Sequence, residues 1–146
     1  MQTIIYISTA FFLGVLMSIY LPMNSSVSRY VGSSITANVT FFFTALITSL
    51  LIFLVSGQFD TLNKIKEVPT YLYLTGFISA FMILGTTFLI PHLGARKFFI
   101  LLITGQILMA MVVSHFGILE SPEEAITMKK IIGASLVIIG AVISTG

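Results

Sequence analysis

Within the long apolar runs of this chain, polar side chains are few, and none of them is a carboxylate. Gln106 stands near the middle of one run, Ser79 lies at similar depth in another, and Thr44 and Thr48 lie in a third. An amide such as Gln106 offers two donors and an acceptor, which suits it to orienting a small polar molecule. The competing use is a hydrogen bond to a neighbouring helix. Each hydroxyl taken alone is expected to bond its own helix backbone one turn back. Together with Gln106, Ser79, Thr44 and Thr48 make the set from which a mildly polar cavity can be lined. Asn24, Arg29 and Asn38 gather around the first turn. Arg29 reads as a cap and headgroup contact. Asn24 follows Pro22, where broken backbone can present carbonyls to a cavity. Asn38 sits about one turn into an apolar run and is expected to face protein. His92 and His115 stand near the ends of two runs, where a histidine reads first as a solvated turn residue.

What is missing narrows the chemistry. The five acids all lie outside the apolar runs, and there is no cysteine. Thiolate chemistry, disulfides and Cys-ligated metals are therefore out. A proton antiporter built on a buried carboxylate, a cation site on a buried Glu, a glycosidase pair or an intramembrane aspartyl protease would need acids at depth. No Ser–His–acid arrangement, phosphate-cradling glycine loop or metal-ligand spacing occurs. The sequence predicts no enzyme and calls for no metal or cofactor. A net charge of +2 on so few ionised groups, with no basic run, gives no footprint for nucleic acid.

The elements that position these residues follow from composition. Of 146 residues, 57% are hydrophobic and 8% charged, and mean hydropathy is +1.09. A soluble domain carries about 25% charge. Stretches near twenty apolar residues recur, each enough to cross a hydrocarbon core of about 30 Å. The sequence predicts one membrane domain, residues 1–146, with helices at about 3–21, 34–55, 70–90, 97–116 and 122–145. Pro22, Pro69 and Pro91 mark expected helix ends. The first run lacks a basic leader and a cleavage site, so it reads as a retained span rather than a signal peptide. Ser121, Pro122 and Glu124 form an entry signature for the last helix, which puts Lys129 and Lys130 in its interfacial part, where they can snorkel. Residues 59–68 read as an exposed loop or short surface helix. Tyr6, Tyr20, Tyr30, Tyr71 and Tyr73 fall near expected span ends, as in an aromatic belt.

Five spans place the termini on opposite membrane faces. Lys64, Lys66, Lys129 and Lys130 then lie on one face, and Arg29, Arg96 and Lys97 on the other. A bias of four against three barely orients a chain that follows the positive-inside rule. Insertion both ways round is expected, against a single fixed topology decided by the small excess.

The ordered residues resemble a known family. Asn24 is followed by Gly32-Ser33-Ser34-Ile35-Thr36-Ala37. Pro69 opens the third span, with Gly76, Ser79 and Ala80 within it. Pro91-His92-Leu93-Gly94 turns into the fourth span, which carries Gly105-Gln106 and ends in Ser114-His115-Phe116-Gly117. The last helix carries Gly133 and Gly140. In this order the chain resembles the YdcZ family of the drug/metabolite transporter (DMT) superfamily along nearly its full length. The family usually carries Asp where this chain has Ser114, so no role for that carboxylate transfers here.

The resemblance implies an all-α integral membrane protein, half of a ten-helix fold whose two inverted repeats surround a central cavity. An antiparallel dimer would complete it, either a homodimer or a heterodimer with a second half-size homologue. Gly133 and Gly140, with Ala134, Ala141 and Ser144, form the expected dimer face, against packing within the protomer. The expected function is transport of a small polar or amphipathic molecule across a plasma or inner membrane by alternating access. The expected substrate residues are Gln106, Ser79, Asn24, Asn38, Thr44 and Thr48. The alternative is a non-transporting subunit that regulates a partner protein. The expected partners are the lipid bilayer, a small molecule and a second half, with no nucleic acid.

Overall fold

The computed structural model describes residues 2–146. Five α-helices follow in order, α1 (Gln2–Val31), α2 (Ser34–Ser56), α3 (Leu74–Leu93), α4 (Ala95–Phe116) and α5 (Met128–Thr145). Tight 3₁₀ turns cover Phe59–Glu67, Thr70–Tyr73 and Ile118–Glu120, and no strand occurs among the described residues. All five helices are long and apolar enough to span a membrane. At 1.5 Å per residue the 18 residues of α5 reach about 27 Å and the 30 of α1 about 45 Å. The helices fall into two compact units, Met1–His92 and Leu93–Gly146.

Polarity in the first unit is reversed relative to a water-soluble domain. Large apolar side chains such as Phe11, Phe43, Leu51 and Phe81 are exposed, as lipid permits. The buried set is small or polar instead: Asn24, Ser25, Ser28, Ala37, Thr86 and Thr87, with Leu21 and Ile90. Apolar burial gives no net drive between helices in lipid, so close approach through small residues and interhelical hydrogen bonds does that work. These residues come from the C-terminal half of α1, the start of α2 and the end of α3. Ser33 caps α2 by accepting the Thr36 N–H at 3.2 Å.

Two prolines expected at helix ends lie inside helices. Pro22 is within α1, which runs nine residues past it to Val31. Pro91 is within α3, which closes at Leu93. A spanning helix tolerates proline where neighbouring groups satisfy the freed backbone. The stretch of α1 beyond Pro22 carries Asn24, Ser25 and Ser28 into the interior, and that burial favours continuing the helix. Tyr20 therefore sits well inside α1, not at a span end. Its ring stacks on Phe41 of α2, with centroids 6.0 Å apart.

In the second unit α4 and α5 pack against each other. The entry signature at Ser121-Pro122 does not start α5. Ser121 is extended, and the cap is Thr127, whose side chain accepts the Lys130 N–H at 3.4 Å. The intervening strap docks on the end of α4. The Glu124 N–H donates to the Ser114 carbonyl at 2.8 Å, and the Ile126 N–H donates to Nδ1 of His115 at 3.4 Å. These acceptors hold the segment off helical geometry. Gly117 ends α4 at φ +58°, and a Cβ there would lie 2.6 Å from Cγ of Glu123. The tight turn under the strap thus requires glycine.

Candidate functional site

A cleft of about 410 Å³ opens between α1 and α2. Tyr20, Met23, Asn24, Thr40, Phe41 and Thr44 line it. Its apolar walls come from lipid-type helix faces, while Asn24 places an amide among them. The geometry of that amide is fixed. Asn24 Nδ2 donates to Oγ1 of Thr87 on α3 at 2.7 Å, and Thr87 Oγ1 donates to the Ile83 carbonyl one turn back, also at 2.7 Å. Thr87 is fully buried and Asn24 is 7% exposed. The hydroxyl acts at once as donor and acceptor, so the relay costs no unpaired group. One amide proton and the amide carbonyl of Asn24 are not used in this bond.

Of the expected substrate residues in the first unit, Asn24, Asn38, Thr44, Thr48 and Ser79, two share a cleft. Asn24 and Thr44 share the α1–α2 cleft. Thr44 and Thr48 each donate to the carbonyl one turn back, to Thr40 at 3.0 Å and to Thr44 at 2.9 Å. Back-bonding of this kind leaves the oxygen as an acceptor. Thr48 is exposed beyond the cleft, and Ser79 is exposed on α3. Asn38 is half-buried, and its Oδ1 is buried without a hydrogen-bond partner. That atom and Oγ of Ser25 are the buried side-chain oxygens left unpaired among the described residues. Gln106, in the second unit, is exposed near the midpoint of α4.

On α5 the small residues separate into two rows. Ala134 and Ala141 are buried, whereas Gly133 and Gly140 are exposed. A Cβ added at either glycine would meet nothing within 4 Å. Ser144 is half-buried. His92 Nδ1 lies 2.7 Å from the Phe88 carbonyl, which uses that nitrogen within its own helix. No group of three or more His, Cys, Asp or Glu residues that could hold a metal occurs among the described residues.

Thr87 was not singled out from the sequence. The one available signal was the pair Thr86-Thr87 inside an apolar run, and a lone threonine there reads as a back-bonded helix residue. Its second role, as acceptor for Asn24, depends on how α1 and α3 meet. The pairing of Glu124 with Lys130, at 2.8 Å, was likewise hidden behind the expected helix start.

Five helices long and apolar enough to span a bilayer, with no acid inside any of them, fit a multi-pass membrane protein. A family model, DMT_YdcZ, described as "Putative inner membrane exporter, YdcZ", matches residues 5–143. The chain belongs to the YdcZ family of DMT-type inner membrane proteins, a transporter family rather than an enzyme family. No curated protein and no solved structure matches the chain.

Proposed function

We propose that this chain is half of an exporter that works as an antiparallel dimer and moves a small polar or amphipathic molecule by alternating access. The observation that carries the reading is Gln106. It is a polar amide at mid-span, exposed within the second unit. Such a group in hydrocarbon is costly and is kept where it faces protein or a water-filled cavity. A second half laid against this one would supply that surroundings. The open glycine row of α5 supports the same pairing, because Gly133 and Gly140 have free space where a partner backbone can approach.

In this reading Asn24 is the amide that orients the substrate in the α1–α2 cleft, with Thr44 at its rim. The apolar walls of that cleft, from Tyr20, Met23 and Phe41, take the less polar part of the cargo. Rocking of one half against the other would expose the site to each side in turn. The partner is a second copy or an oppositely oriented half-size homologue. The near-even distribution of Lys and Arg supports the homodimer.

The test is flux from proteoliposomes made with this chain alone, loaded with a panel of small polar and amphipathic compounds. Protein-dependent flux of one member, abolished by Gln106→Leu with the dimer intact, is the expected result. Undiminished flux in Gln106→Leu removes that residue from the site. No flux for any compound, with activity appearing in a bound partner protein instead, would favour the regulatory subunit.

A further inference from the structure

The second unit carries a cleft of its own, of about 390 Å³, between α4 and α5. Ile107, Ala110, Met111, Gly133 and Ala134 form its walls, and Glu124 and Lys130 stand at its mouth. Ser114 is at the level of the charges. Ile107 lies seven residues earlier on α4, so the apolar wall descends about 10 Å from them at 1.5 Å per residue. Charges at the helix ends and apolar walls below them reproduce the polarity profile of a bilayer leaflet.

The two charges are held in place by specific bonds. Lys130 Nζ donates to Glu124 Oε2 at 2.8 Å and to the Ala125 carbonyl at 3.1 Å. The Glu124 backbone is fixed by the Ser114 carbonyl. Both side chains are partly exposed, at 36% for Lys130 and 64% for Glu124. An exposed ion pair is weak, so it can open to take a ligand that carries both charges.

We propose that this cleft binds a phospholipid with a zwitterionic headgroup that ends in a primary ammonium. The phosphate meets Lys130, the ammonium meets Glu124, and one acyl chain follows Ile107, Ala110 and Met111 into the membrane. The argument is charge complementarity at the right depth. An anionic headgroup would take Lys130 through its phosphate and leave the Glu124 carboxylate without a cation. A quaternary ammonium has no N–H to donate to the carboxylate. A water-soluble zwitterion would leave the apolar wall uncovered. Gly133 borders both this cleft and the open glycine row of α5, so a second copy is the competing occupant; seated over the mouth it would have to strip water from both charges, which is costly. The proposal does not depend on the export reading, and its test reads lipid binding rather than flux.

The experiment is native mass spectrometry of the purified full chain, titrated with phosphatidylethanolamine, phosphatidylcholine or phosphatidylglycerol of equal chain length. The first phosphatidylethanolamine should bind about tenfold tighter than either other lipid, and Glu124→Gln or Lys130→Gln should each erase that preference. Circular dichroism checks that the variants fold. Should Lys130→Gln fail to fold, Ala110→Phe fills the cleft without touching either charge, and it too should weaken the first lipid about tenfold. Equal affinity for the three lipids would overturn the proposal. So would a preference for phosphatidylglycerol, which needs only the lysine, or full competition by phosphoethanolamine without acyl chains. Loss of lipid binding on dimer formation would point to a second copy as the occupant and would also overturn it.

Discussion

Replacing Thr87 by valine changes one oxygen in the interior of the first unit and little else. Valine keeps the shape, so no cavity opens. The Asn24 amide loses its acceptor at 2.7 Å, while the Ile83 carbonyl keeps its place in the helix ladder. Leaving a buried donor unpaired costs about 1–3 kcal/mol. Interhelical hydrogen bonds in membrane proteins couple more modestly, by about 0.6 kcal/mol on average and about 1.7 at most. Thr87→Val should therefore destabilise by about 1–2 kcal/mol, and a double-mutant cycle with Asn24→Ala should return a coupling of about 0.6–1.7. The assay is reversible unfolding in mixed micelles, with helix content followed by circular dichroism. A coupling below about 0.3 kcal/mol, the usual scatter of independent sites, would refute the relay. Because the relay also aims the amide at the α1–α2 cleft, Thr87→Val should raise the half-saturating substrate concentration in a flux assay with less effect on maximal rate.

Three further outcomes follow from the same structure. Gly133→Leu and Gly140→Leu should weaken dimerisation about tenfold or more, as read by single-molecule photobleaching in liposomes, and leave protomer stability unchanged, whereas Ala134→Leu should destabilise the protomer itself. The hydrogen bond from Lys130, and then its charge, hold the Glu124 carboxyl below the ordinary carboxylate range. Its contribution to docking the strap is thus fully present above the ordinary carboxylate pKa and is lost as pH falls through the depressed value. Carboxyl NMR should show Glu124 titrating late in acid and returning toward normal in Lys130→Gln. Gly117→Ala should disorder the strap over the end of α4, seen as faster amide exchange at Glu124 and Ile126, because the added Cβ would meet Glu123 at a left-handed backbone position.

The fold class was legible because apolar run length alone sets it. Runs of twenty residues with no acid have one stable arrangement in a bilayer. Helix ends were less legible. Proline reads as a terminator in water, yet α1 passes through Pro22 because the residues beyond it, Asn24, Ser25 and Ser28, are more useful buried in a helix interface than exposed. Ser121-Pro122 reads as a helix start by local chemistry, and tertiary acceptors on Ser114 and His115 override it. Within the candidate site, Asn24 stood out from sequence because an amide beside a proline is conspicuous. Thr87 did not, because a threonine's second hydrogen bond is a matter of which helix lies next to it. The small-residue row of α5 was visible as a row. Its division into a buried alanine side and an open glycine side is a matter of rotation about the helix axis, which spacing alone does not fix.

The account rests on two oppositely oriented halves. With no cysteine in the natural chain, single cysteines at Gln2 and at Gly146 can be tagged against a clean background, with the chain expressed by itself. Labelling intact cells with a membrane-impermeant maleimide, before and after permeabilisation, measures which way each terminus faces. The account predicts that a comparable fraction of each terminus is reached from outside and the remainder only after permeabilisation. A population in which one terminus is wholly accessible and the other wholly protected would contradict it.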